Sequence, residues 1–195
     1  MTNPYLLDLP AVVSFSGGRT SGFMLRKILD AHGGQPEGLK ICFQNTGLEH
    51  AGTYDFVERC AVEWGVDITW LELTLDDNNK MSHRVVNHET ASRNGEPFRK
   101  ELEKQPFLPN EFRRKCTVEL KVRTLKRYLK TLPEFADGHT EAVGLRADEP
   151  RRATRVISDD GRLSKVCPLY RAGVTQSDVM DFWKGSPFDL ELPLP

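Results

Sequence analysis

Six consecutive residues, Ser16-Gly17-Gly18-Arg19-Thr20-Ser21, combine what a bound phosphate asks of a protein. The two glycines let a phosphate approach the backbone where a Cβ would block it. Ser16 and Ser21 offer hydroxyls, and Arg19 offers charge and a forked donor. Ahead of them Ala11-Val12-Val13 is apolar and β-branched, which suits a short buried strand. Behind them Thr20 or Ser21 can cap a helix, and Phe23, Met24, Leu25, Ile28 and Leu29 recur at helical spacing. Strand, glycine-rich turn and helix together aim backbone N–H groups and the positive end of a helix dipole at one point. The spacing is neither GxxxxGK(S/T) nor GxGxxG; it reads SGGxxS. A solvated Ser/Gly linker would have the same composition, but the flanking strand and helix argue against one.

Two further turns carry chemistry. Asn45-Thr46-Gly47 closes a second strand read over 39–44. A fourth strand over 141–144 ends in a turn that carries Arg146, Glu149 and Arg152. The arginines could hold phosphate oxygens or a sulfate-like group, and Glu149 could orient an arginine or help to hold a metal. Cys116 lies between Lys115 and Thr117, one residue from Arg114, and nearby cations lower a thiol pKa; a reactive and a structural role stand level. Cys42 and Cys60 read as core. His83 and His88 have no acidic or Cys partner at ligand spacing, so no metal site is read from the pattern.

The elements that must position these residues follow from periodicity. Helices are predicted over 21–31 and 53–64, and a third strand over 66–71. Residues 74–110 are polar and turn-rich, and are expected to form a long excursion with one short helix at 97–104. A basic segment at 113–132 contains the clearest helical pattern, with Val118, Val122, Leu125, Leu129 and Leu132 on one face and Lys121, Arg123, Lys126, Arg127 and Lys130 on the others. That charge is either a solvated face or an anion-binding surface, and few aromatics interleave it for base stacking. A hairpin is expected over 155–165, a capped helix over 175–183 and an extended tail after it. The alternation of strand and helix predicts an α/β fold: a doubly wound, mainly parallel sheet with flanking helices, in one unit over 1–195. Ligands in such sheets sit outside the carboxyl ends of the strands, where the SGGRTS and NTG turns both fall.

The chain has 195 residues, with 27 Lys+Arg against 28 Asp+Glu, a net charge of −1 that argues neither for nor against nucleic acid. No apolar run approaches the ~20 residues of a membrane span. The opening MTNPYLLDLP has neither the basic region nor the apolar core of a signal peptide. Four scattered cysteines without a CxxC suit a reducing compartment, so a cytoplasmic protein is expected.

SFSGGRTS at 14–21, FQNTGLEH at 43–50, RRKCTVELK at 113–121, GLRADEPRR at 144–152 and CPL with the helix to 183 together resemble the PAPS-reductase-like branch of the PP-loop ATP pyrophosphatase superfamily. The resemblance covers most of the chain and implies the adenine nucleotide alpha hydrolase-like fold. It implies that Ser16, Gly17, Gly18, Arg19, Thr20, Ser21, Asn45, Thr46, Gly47 and Arg152 bind an adenine nucleotide, and that Arg146, Glu149, Cys116 and Lys121 serve catalysis. The intact SGGxxS favours ATP with Mg²⁺, cleaved to AMP and pyrophosphate to activate a substrate for sulfur transfer. The alternatives are a thioredoxin-dependent PAPS or APS reductase and a non-catalytic nucleotide-binding module. Family members often carry a cysteine pair or catalytic cysteine near the C-terminus; its absence before Pro195 disfavours the reductase, and the four cysteines do not assemble an iron–sulfur site. A nucleic-acid or protein partner in sulfur transfer is expected along 113–130, an oligomer is compatible with the sequence, and no membrane partner is expected.

Overall fold

The structure, a computed structural model, describes residues 3–104 and 117–192. Its centre is the short strand β1 (Ala11–Phe15), which pairs in parallel with β2 (Leu39–Asn45) on one side and β5 (His139–Val143) on the other. β3 (Ile68–Leu75) continues the parallel sheet beyond β2, and β7 (Leu163–Val166) continues it beyond β5. Antiparallel edge strands close both sides, β4 (Met81–Val86) on β3 and β6 (Ser158–Asp159) on β7. The order β4-β3-β2-β1-β5-β7-β6 reverses direction between β1 and β5. At such a reversal the connections leave the sheet on opposite faces and open a crevice at the carboxyl ends.

Successive side chains of a strand face opposite ways, and β1 shows it directly. Ala11, Val13 and Phe15 point into a large core with helices α1 (Arg19–His32), α2 (Ala51–Trp64) and α7 (Gln176–Lys184). Val12 points the other way, toward Cys42, Leu71 and the helix α4 (Thr124–Leu129). Aromatic edges knit the larger core: Phe56 meets Trp183 with ring centroids 5.1 Å apart, and Phe43 meets Trp70 at 4.9 Å. The doubly wound, mainly parallel α/β sheet expected from the sequence is therefore what forms, with helices on both faces.

Three local expectations need correction. The third strand begins two residues later than predicted and runs on to Leu75. The excursion contains the short helix as expected, α3 (Glu96–Lys104), but also β4, whose residues are half-buried or exposed, so no apolar alternation marks them. The basic helix is not a continuous α-helix. Thr117–Arg123 is π-helical, and α4 follows it. The wider turn shifts the phase, so Val118 and Val122 are 40 % and 44 % exposed while Glu119 and Leu120 are buried at 3 % each. Buried Glu119 is paired by Arg123, whose side chain stays exposed, and by Arg127 at 3.1 Å, which turns one of the expected surface cations inward. Leu125 and Leu129 keep their predicted core positions. The 155–165 hairpin is present as β6–β7, preceded by α5 (Pro150–Val156). The helix at the end of the chain starts at a capping box, Thr175 with Asp178.

Candidate functional site

β1 ends at Phe15, and the chain turns through Ser16–Gly18 into α1. The turn is wound about one side chain. Ser21 Oγ, buried at 3 %, accepts from the amides of Ser16 (3.2 Å) and Gly18 (3.3 Å), donates to the Gly18 carbonyl (2.9 Å) and lies 2.9 Å from Ser16 Oγ. Gly17 has φ +73°, and a Cβ there would come 2.7 Å from Thr53 Cγ2 and 3.1 Å from Phe43 and Val57. The turn thus demands glycine twice, by conformation and by space. Arg19 and Thr20 open the helix, where the first amides have no partner within it.

The turn after β5 faces this loop across the reversal point. Arg146 Nη1 donates to Thr20 Oγ1 at 3.1 Å, bridging the two turns. Arg146 Nε donates to Asp148 at 2.9 Å, and this bond holds the Asp148 carboxyl below its usual range. Glu149 accepts from the Arg146 amide at 3.3 Å, lies 3.5 Å from its guanidinium, and pairs through its other oxygen with Arg152. Glu149 therefore orients arginines. Among the described residues no three His, Cys, Asp or Glu side chains converge on a metal site, and the carboxylates of this turn are already engaged.

The third turn, after β2, is fixed from within. Asn45 is fully buried; its Oδ1 accepts from the Gly47 amide (2.9 Å) and the Tyr54 hydroxyl (3.1 Å), and its Nδ2 donates to Glu72 (2.7 Å) and the Ser92 carbonyl (2.8 Å). Thr46 Oγ1 donates to Glu49 at 3.0 Å, and Lys121 Nζ reaches the same carboxylate at 3.3 Å from the π-helical segment. The structure so brings Ser16–Ser21, Asn45–Gly47, Arg146, Glu149 and Arg152 to the carboxyl ends of three adjacent strands, with Lys121 at the rim.

Two expected site residues stand differently. The Arg19 guanidinium is engaged by the tail, with Nε and Nη2 on the Asp189 carboxylate at 2.7 and 2.8 Å and Nη2 on the Leu190 carbonyl at 2.7 Å. Cys116 lies outside the described residues. Cys42, Cys60 and Cys167 are buried in three separate apolar clusters, and burial raises all three thiols, Cys167 to about 11. These three do not fit an iron–sulfur cluster. Sequence reasoning missed Asp189, Glu72, Arg84 and Ser92. A lone acid inside the apolar run Trp70-Leu71-Glu72-Leu73 is a legible signal for Glu72, but nothing local marks the others.

The family model described as the phosphoadenosine phosphosulfate reductase domain matches residues 10–188. The chain is similar to the uncharacterized nin region protein ORF290 of Escherichia phage lambda, 28 % identical over an alignment of 190 positions that covers 93 % of this chain and 61 % of that protein. It therefore spans about three-fifths of the length of this curated relative. Among solved structures it is similar to the phosphoadenylyl-sulfate (PAPS) reductase of Candida auris in its phosphate complex, with TM-score 0.50, 16 % identity, and 89 % of this chain and 71 % of that one covered. It is also similar to the U34-tRNA thiolase NcsA of Methanococcus maripaludis with its 4Fe–4S cluster, with TM-score 0.48, 11 % identity, and 94 % and 58 % covered. At these identities the first likeness speaks for the fold.

Proposed function

The chain belongs to the phosphoadenosine phosphosulfate reductase domain family, within the PP-loop superfamily, and on that premise we propose that it binds ATP and cleaves it to AMP and pyrophosphate to activate an acceptor for sulfur transfer. The observation that carries the reading is the Arg146–Thr20 hydrogen bond across the strand reversal. It sets a fixed cation over a glycine turn whose first helical amides are free to receive phosphate oxygens.

An acceptor oxygen attacks the α-phosphorus of ATP. The new O–P bond forms as the bond from that phosphorus to the α–β bridging oxygen breaks; pyrophosphate leaves with the electron pair, and the acceptor's proton passes to water. A sulfur nucleophile then displaces AMP from the acceptor. The chain's share is positioning and charge. The turn Ser16–Ser21 holds the polyphosphate, Arg146 faces the departing charge with Glu149 and Asp148 fixing its fork, and Lys121 and Arg152 flank the entrance. Among the described residues no three His, Cys, Asp or Glu side chains converge to hold the Mg²⁺ that the family implies.

ATP labelled at the α-phosphate, given with tRNA, DNA or small carbonyl acceptors, should yield labelled AMP and equimolar pyrophosphate. Absence of both across these acceptors would count decisively against the reading. The family description itself favours a second reading, a thioredoxin-dependent reductase of a sulfated adenine nucleotide. It rests on Cys116 as the thiol and is distinguished by sulfite release that Cys116→Ser abolishes. In either reading the protein or nucleic-acid partner would meet the basic segment 113–130.

A further inference from the structure

We infer that Glu72, which touches no part of the proposed nucleotide, is a positioning residue that sets the rim of its site. The inference rests on the nucleotide reading above and adds to it the residue that decides the rim's shape. Glu72 lies in β3, directly beside Asn45 of β2 and opposite Arg84 of β4, so three polar residues cross three neighbouring strands at one level. Its side chain is completely buried, yet five donors converge on it. They are Asn45 Nδ2 (2.7 Å) and the Ser92 amide (2.7 Å) on one oxygen, and Ser92 Oγ (3.0 Å) with Arg84 Nε (2.9 Å) and Nη2 (2.6 Å) on the other. Among the described residues every hydrogen bond to this carboxylate comes from a donor.

The arrangement has a directional consequence. A carboxylate only accepts, so Asn45 must present its NH₂ to Glu72. Its carbonyl oxygen is thereby turned to the Gly47 amide, which closes the turn after β2. The same carboxylate anchors Ser92, and the Gly95 amide donates to the Gly47 carbonyl at 2.8 Å, so the loop after β4 is tied to the turn as well. From Gly47 the chain leads to Thr46, Glu49 and Lys121 at the entrance. One buried charge thus fixes the orientation of an amide, the amide fixes a turn, and the turn carries the groups that face the ligand.

The test is Glu72→Gln in the full chain, with ATP as probe, read by calorimetry and by amide hydrogen exchange. The expected result is ATP binding weakened about tenfold, the loss that follows when a buried network is left with an unmatched donor. Exchange should rise in 45–50 and 91–96 while β1, 11–15, keeps its protection. Arg84→Met, which removes the half-exposed cation and keeps Glu72, should act in the same direction and more weakly, and it carries the test if the Gln variant does not fold. ATP affinity within twofold of the parent in the folded variants would overturn the inference, and so would protection lost evenly across the sheet. Failure of the parent chain itself to bind ATP would overturn both this inference and the nucleotide reading; binding by the parent that the variants leave unchanged overturns only this one.

Discussion

The guanidinium of Arg19 grips the carboxylate of Asp189 with both prongs, at 2.7 and 2.8 Å, across 170 residues of chain. The first residue of the helix after the glycine turn is thereby tied to the tail. Trp183 Nε1 adds a bond to the Arg19 carbonyl at 2.9 Å. The residue that looked in the sequence like a phosphate ligand is, in this arrangement, a brace.

Asp189→Asn is expected to lower stability by about 1 kcal/mol, the upper end for a two-pronged pair that solvent still reaches. Arg19→Ala also loses the bond to the Leu190 carbonyl and should cost somewhat more. Both are read from thermal unfolding midpoints. Because the tail holds this guanidinium, Arg19→Ala should disturb ATP affinity less than Arg146→Ala does. An unchanged midpoint with ATP affinity abolished would return Arg19 to the ligand.

The two glycines of the turn should differ sharply. Gly17→Ala combines an unfavourable positive φ with a Cβ 2.7 Å from Thr53, and a loss of about 2–4 kcal/mol is expected. Gly18 has φ −108°, and its Cβ would find only Ser16 Oγ at 3.7 Å, so Gly18→Ala should stay within about 1 kcal/mol. Urea unfolding of the pair, side by side, measures the contrast. Equal losses would mean that the turn is not built as described.

Arg146→Ala should reduce pyrophosphate formation by about 10²–10³, the range for removing one fixed donor from developing charge. Its midpoint of unfolding should move little. Arg146→Lys should not restore the rate, because one ammonium cannot serve Thr20, Asp148 and Glu149 as the fork does. Full activity in the Lys variant would reduce the role of Arg146 to charge alone.

Two histidines give stability a pH dependence. Burial lowers the pKa of His83, with Arg127 adding to the effect, and burial lowers that of His139. The folded chain therefore resists protonating them while the unfolded chain takes up protons near pH 6.5. Their contribution is fully present above about 6.5 and is lost as pH falls from there toward the folded values. Asp148, Asp160 and Asp178, lowered chiefly by hydrogen bonds from Arg146, the Leu163 amide and Thr175, act in the same direction only near pH 4 and below. Urea midpoints should drop between pH 7.5 and 5.5, and the drop should flatten in His83→Gln with His139→Gln. A drop of the same size in the double variant would place its origin elsewhere.

What the sequence made legible is what short-range physics decides. The apolar run of β1, the glycine turn and the periodic face of α1 all act within a few residues, and they appear where expected. The turns after β2 and β5 were equally readable, because Gly and Asn mark them locally. β4 was not, since an edge strand half open to water needs no apolar alternation. Val118 and Val122 misled because the heptad-like spacing assumes an α turn, and the π turn rotates Glu119 inward in their place. Asp189 and Ser92 owe their partners to the fold alone, 170 and 47 positions distant from Arg19 and Asn45. No window of sequence contains both ends of such a pair.

The tail also passes over the start of α2, where a Cβ on Gly52 would collide with the Glu191 carbonyl oxygen. On a ribosome the glycine turn emerges some 170 residues ahead of Asp189, which clamps the residue that follows it. Until Asp189 follows, the nascent chain holds this turn without the buttress that the fold gives it.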